Sequence, residues 1–236
     1  MVEIPLDIHD ADVTGLVLRE STTQVNFRVV TDDTIKVSPE VRNNLPHGVM
    51  LLPDHPGQPL GVTELRPDHS FSIADVSPGR YWLKSMNGVG FIRQVLQANA
   101  DVTDDPIDIR GDASEVELTI VLTSRLGEIE GTIVDSAGAP ALGASVLVFS
   151  TSPERWSRPG TRYVACQVSG ADGRFRVNGL PAGDYYVVAP TDLDESVYGP
   201  GEDVDPEPLD RLRLEATIVT VNDGQIAHAT LRMKAQ

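Results

Sequence analysis

The residues of this chain whose types could do chemistry are five histidines, one cysteine, a crowded acidic loop and a few aromatics. A zinc-dependent hydrolase needs ligands spaced as H-x-x-E or H-E-x-x-H, so that two groups meet one metal. None of His9, His47, His55, His69 or His228 has a glutamate at that offset, and a packed or solvent-facing histidine is the favoured reading of each. Calcium takes about six to eight oxygens, and Asp192, Asp194, Glu195, Glu202, Asp203, Asp205 and Glu207 crowd one stretch. Pro208 stands where an EF-hand loop requires glycine and the distal glutamate is missing, so a solvated acidic loop at 192–207 is preferred to a metal site. There is no G-x-S-x-G elbow and no G-x-x-x-x-G-K-[ST] phosphate loop, and Gly88-Val89-Gly90 lacks the third glycine of a dinucleotide turn. The expectation is a protein that is not an enzyme, with no catalytic residue, no metal and no cofactor.

Aromatic rings are the remaining chemistry, because exposed rings on β-sheets can stack on sugar faces. Trp82 and Tyr186 fall on outward strand positions, and Trp156 lies in a polar segment with Arg155, Arg158 and Tyr163 close by in sequence. These three are the candidate ligand or partner surface. The competing reading, that a neighbouring loop or domain covers an outward ring, is the favoured one.

The chain carries a net charge of −16 with 35 acidic against 19 basic residues, and no basic stripe interrupts it. It would repel a phosphate backbone, so nucleic acid is not an expected partner. Cys166 is the single cysteine and excludes an intrachain disulfide; in the alternating stretch RYVACQV it reads as a small buried hydrophobe rather than a nucleophile. No apolar run reaches the roughly 18 residues of a membrane span, and VEIPLDIHDAD after Met1 has neither a basic nor an apolar leader region.

The elements that must position these residues are strands. With 20 glycines and 17 prolines the composition is turn-rich. In ADGRFRVNGLPAGDYYVVAP, Phe175 and Val177 alternate with polar residues, Leu180-Pro181-Ala182-Gly183 forms a tight turn, and Tyr185, Val187 and Ala189 share a face opposite Tyr186 and Val188. The expectation is a β-hairpin. The same grammar stands upstream, where Phe71, Ile73, Val76, Gly79, Tyr81 and Leu83 repeat the offsets of Phe175, Val177, Leu180, Gly183, Tyr185 and Val187. A period near a hundred residues suits two tandem β-sandwich domains.

The expected organisation is a tail or remnant strand at 1–11, a sandwich at 12–123, a linker at 124–127 too short for free tumbling, and a second sandwich at 128–236. Expected strands in the first unit include TGLVLRE, QVNFRVV, HGVMLLPD, FIRQVLQ, the segment around Ile107 and Ile109, and EVELTIVL with Val116, Leu118, Ile120 and Leu122 inward. In the second, Ile129, Gly131 and Ile133 alternate, as do Ala144, Val146 and Val148, and ATIVTV with QIAHATLRM reads as a closing hairpin. Asp205 before Pro206, with Leu209, Leu212 and Ala216 at helical spacing, predicts one short helix near 206–216.

Residues EGTIVDSAGAPALGASVLVF and SGADGRFRVNGLPAGDYYVVAP make the second unit resemble a carboxypeptidase regulatory-like domain, the transthyretin-like or prealbumin-like sandwich. The matched positions are Gly131, Asp135, Gly138, Pro140, Gly143-Ala144, Asp172-Gly173, Phe175, Leu180, Pro181, Gly183 and Tyr185. The first unit keeps the repeated motif but not the GxVxDxxGxPxxGA opening and resembles a diverged copy. The resemblance implies an all-β fold of two Ig-like, transthyretin-like antiparallel sandwiches whose matched residues are turn and core residues. It further implies a non-catalytic structural or interaction module of a larger bacterial exported or cell-surface protein, located outside the cytoplasm. Its partners would be neighbouring domains of that protein, with a glycan or protein partner as the alternative.

Overall fold

The computed structural model describes residues 22–32, 48–54, 57, 60–62, 66–86, 90–191, 193, 198 and 204–233. The tail at 1–11, the strand expected at TGLVLRE, the connection between Asp32 and Gly48, the histidines at 9, 47 and 55, and most of the acidic stretch from 192 to 203 lie outside them.

Strands β1 (Thr23–Thr31), β2 (Gly48–Pro53), β3 (Leu60–Val62), β4 (Ser70–Val76), β5 (Gly79–Met86), β6 (Phe91–Gln97), β7 (Ala100–Asp101), β8 (Ile107–Ile109) and β9 (Glu115–Thr123) build the first sandwich. One sheet has the order β4-β1-β9-β6-β7 and the other β3-β2-β5-β8. The second sandwich uses β10 (Gly127–Val134), β11 (Ser145–Ser150), β12 (Val164–Val168), β13 (Arg174–Leu180), β14 (Gly183–Val188), β15 (Thr217–Val221) and β16 (Ile226–Arg232). Its sheets are β13-β10-β16 and β12-β11-β14-β15. Among the described residues the fold is all-β with one short α-helix, α1 (Pro206–Leu212).

Alternation decides each strand's inward face. Phe27, Leu118, Ile120, Phe71, Ile73 and Tyr81 meet in the first core. Ile129, Val146, Val148, Phe175, Val177, Tyr185 and Val187 meet in the second. Phe27 packs on Phe71 at 5.9 Å between ring centroids. Gly131 occupies the equivalent place in the second core, where a Cβ would stand 2.1 Å from the Ala229 carbonyl and 2.6 Å from the Phe175 ring. The ring of Phe175 thus fills the space that a second aromatic fills in the first copy.

Three expected hairpins are sheet-to-sheet crossings instead: in the first sandwich β4, which holds Phe71, pairs with β1 while β5 pairs with β2 and β8. β13 pairs with β10 while β14 pairs with β11 and β15. β15 and β16 likewise lie in different sheets. The physical reason is that Phe175 and Tyr185 both point into the core, an arrangement met equally by two strands facing each other across it. The turn is closed by a side chain: Tyr185 Oη donates to the Pro181 carbonyl at 2.8 Å, and Tyr81 Oη to Ser77 at 2.9 Å. Each tyrosine reaches back four residues, as tyrosine corners do in other sandwiches. Burial pushes the Tyr185 hydroxyl far above the usual tyrosine range.

The sheets are not wholly antiparallel either. The first and last strands of each sandwich lie side by side and run parallel, β1 with β9 and β10 with β16.

A third layer covers the outer face of the β12-β11-β14-β15 sheet. Leu147, Phe149 and Val188 on that face pack with Trp156, Tyr198, Val204 and Leu209. The sequence expectation for α1 holds at its start, where the Asp205 carboxylate accepts from the Glu207 amide at 3.0 Å and Pro206 opens the helix. The helix ends at Leu212, short of the expected 216, and Ala216 packs beneath as part of the same layer.

Candidate functional site

The excursion between β11 and β12, TSPERWSRPGTR, is the place where one sandwich grips the other. A short 3-10 turn at Pro153–Arg155 starts it, and Trp156 anchors it. The Trp156 indole N–H donates to the Ser150 carbonyl at 2.6 Å, and its ring meets Phe149 edge-on at 5.4 Å. With one end pinned this way, the rest of the excursion projects toward the first sandwich. Arg158 to Thr161 makes a tight turn, closed by Thr161 N–H to Arg158 O at 3.0 Å, with Pro159 and Gly160 at its centre. Gly160 has a φ of +64°, and a Cβ there would lie 2.8 Å from Leu52 of the first sandwich. Glycine is required both by conformation and by contact.

The grip itself is a knot around Asp104. Arg162 donates to both carboxylate oxygens, at 3.0 and 2.9 Å, and a third N–H reaches the Ile92 carbonyl at 3.0 Å. Tyr163 Oη donates to Asp104 Oδ2 at 2.7 Å, and Arg158 Nη1 donates to the Asp104 carbonyl. The planar guanidinium fits a carboxylate in this two-pronged way where a lysine could not. Arg155 lies over the Tyr163 ring, 4.4 Å from its centroid. Burial alone would raise the Asp104 carboxyl; hydrogen bonds from Arg162 and Tyr163, with the charges of Arg162 and Arg158, overcome it and hold the group below the ordinary aspartate value. Burial and the bond to Asp104 together push the Tyr163 hydroxyl upward. A second contact lies nearby, where Gly179, with a φ of +76°, leaves no room for a Cβ against the Phe91 ring at 2.5 Å.

The three aromatics singled out in the sequence fall into place around this seam. Trp156 is 1% exposed, so its ring is a buried anchor and offers no stacking face. Trp82 sits opposite Leu52 on the outer face of its sheet. Its indole N–H donates to Asp54 at 2.8 Å, and Arg158 lies 5.7 Å over the ring. Tyr186 lies opposite Phe149, with ring centroids 5.3 Å apart, beneath the third layer. Trp82 and Tyr186 are therefore equivalent in position, and each is met by a covering element.

Asp104, Arg158, Arg162 and Tyr163 were not singled out together by sequence reasoning. A signal existed: Arg155, Arg158 and Arg162 crowd eight residues of a chain with only 19 basic residues. Among the described residues no group of three or more metal-ligating side chains converges. Among the described residues no helix is long and apolar enough to cross a membrane.

Residues 128–234, the second sandwich, match the family model of the carboxypeptidase regulatory-like domain. Solved structures similar to the chain include pilin proteins. The minor pilin GBS52 of Streptococcus agalactiae is 15% identical, with 91% of this chain and 97% of that chain covered at a TM-score of 0.36. The shaft pilin of Lactobacillus rhamnosus GG is 10% identical, covering 89% of this chain and 97% of its own, at a TM-score of 0.30. No curated protein matches the chain.

Proposed function

We propose that the chain is a non-catalytic structural and interaction module of a larger exported or cell-surface protein. Its two domains, residues 12–123 and 128–236 joined through 124–127, are held in one fixed relative arrangement. The observation that carries this reading is the Asp104 knot, in which one residue of the first sandwich collects three side chains of the second, Arg162 and Tyr163 on its carboxylate and Arg158 on its main-chain carbonyl. A linker of a few residues limits tumbling; bidentate pairing and a closely fitted glycine turn define an orientation. The ionisable groups of this seam are engaged with one another rather than turned toward a cavity, which supports a positioning role over a catalytic one. A place outside the cytoplasm is supported by the kinship of the second sandwich with carboxypeptidase regulatory-like domains. Partners are then the neighbouring domains of the same protein. A carbohydrate-binding role would fall to Trp82 and Tyr186, whose partly covered rings give it less support.

Distance measurement between two spin labels tests the reading. Labels at Glu115→Cys and Ala171→Cys, in a Cys166→Ala background, report one position in each sandwich. A single narrow distance distribution is expected. A broad distribution in the otherwise unaltered chain would remove the basis for a rigid spacer.

A further inference from the structure

Every open sandwich has edge strands, but one edge is treated differently in the two copies. In the first sandwich the sheet continues past β9 into β6 and β7, whereas β13-β10-β16 ends at β16 among the described residues. The remaining edges correspond copy for copy: β4 with β13, β3 with β12, β8 with β15. The β16 edge is thus a seat that the other copy fills with a strand.

Backbone directions show what this edge offers. Met233 N–H donates to Val134 O at 2.8 Å, and Gln225 O accepts from Glu128 N–H at 3.0 Å. Odd-numbered residues of β16 therefore aim their amides at β10, and Ile226, His228, Thr230 and Arg232 turn theirs outward. The equivalent β9 residues, Thr119 and Val121, pair with Leu96 and Gln94 of β6. The edge is also unguarded. Its register with β10 runs from 226 to 232 without a shift, while the ladders of β4 and β13 are each broken by one. β16 holds no proline, lysine or carboxylate, the usual devices that blunt an edge, and Ile226 is 49% exposed.

We propose that β16 pairs antiparallel with β16 of a second copy of this chain, joining two three-stranded sheets into one. Centred on Ala229, the pairing sets Ile226 against Arg232 and His228 against Thr230, so all four outward-turned amides bond and about eight inter-chain hydrogen bonds form. No like charges stand opposite, and the methylene stem of Arg232 covers the exposed Ile226. The same row of residues thus serves both partners, as a closed two-fold interface requires, and it does so with no acid on a chain whose net charge is −16. The acidic remainder of the two chains opposes the approach, so salt strengthens the pairing.

The test is sedimentation of the full chain from micromolar to millimolar concentration at low and high salt, beside Thr230→Pro. That substitution removes an outward amide and leaves the β10 ladder intact, a placement proline tolerates at an edge. The native chain is expected to rise from 25.5 kDa toward about twice that mass, more readily in salt, while the variant keeps its circular dichroism and stays monomeric. Amide exchange gives a second reading on the native chain: protection at His228 and Thr230 rises with concentration. A chain that stays monomeric in high salt, or a dimer that Thr230→Pro leaves unchanged, overturns the proposal.

Discussion

Asp104→Asn is the sharpest perturbation of the seam, because it keeps the shape of the side chain and removes the charge that Arg162 straddles. Removing one partner of a fully buried pair costs roughly 3–5 kcal/mol, and exposed pairs are worth about 0–1. Here the Arg162 side chain is 26% exposed and that of Asp104 37%, so solvent screens the pair in part. The Tyr163 hydroxyl keeps an acceptor in the asparagine. A cost of about 2 kcal/mol follows, between the two limits. The chain supplies its own probes, since Trp82 reports on the first sandwich and Trp156 on the second. Urea unfolding followed by fluorescence is expected to be one concerted transition in the native chain and two separated ones in Asp104→Asn. A double-mutant cycle with Arg162→Gln isolates the pair, with an expected coupling of about 1–2 kcal/mol. The Asp104 carboxyl is depressed in the folded chain, so its contribution is full above the unfolded value near about 3.9 and is lost as pH falls through the lower folded one. A coupling below about 0.5 kcal/mol at neutral pH, or one that persists in strong acid, would refute the seam as an electrostatic clamp.

Tyr185→Phe is expected to destabilise the second sandwich by about 1–3 kcal/mol, because the buried Pro181 carbonyl loses its donor; Tyr81→Phe costs less, its ring being 7% rather than 1% exposed. A Tyr185→Phe chain as stable as the native one in urea titrations would show that the corner bond is not what matters. Trp156→Ala opens a cavity between Phe149 and the excursion and is expected to cost about 3–5 kcal/mol. The same variant broadens the spin-label distances, since the latch loses its anchor; an unchanged distribution would separate the anchor from the latch.

Strand positions were legible in the sequence because alternation is a local property. Phe175 with Val177, and Tyr185 with Val187, announce which sides face a core. They do not announce whether the two strands bond to each other or face each other across that core, since both arrangements give the same pattern. Hence a motif read as a hairpin is a crossing. The helix cap at Asp205 was legible for the same local reason. Outward aromatics were legible as outward, but what covers them is decided by chain far away: Arg158 reaches Trp82 from 76 residues on, by subtraction of their numbers. Asp104 was hidden inside Asp104-Asp105-Pro106, which signals a turn, while its partner Arg162 lies 58 residues downstream.

One of the connections that differ between the two copies bears on both the seam and the β16 edge. Between β5 and β8 the first copy spends its chain on β6 and β7, which extend the β9 edge. Among the described residues no helix or anchored excursion of the first copy lies over the outer face that bears Leu52 and Trp82, and the Arg158–Gly160 turn of the second copy settles there. Between β14 and β15 the second copy instead places α1 with Tyr198 and Val204 over the face that bears Phe149 and Tyr186. Its equivalent edge, β16, has no further strand beside it among the described residues. An uncovered face seeks apolar and cationic contact, which the neighbouring sandwich supplies within the chain. An uncovered edge seeks main-chain hydrogen bonds, and those come from a strand.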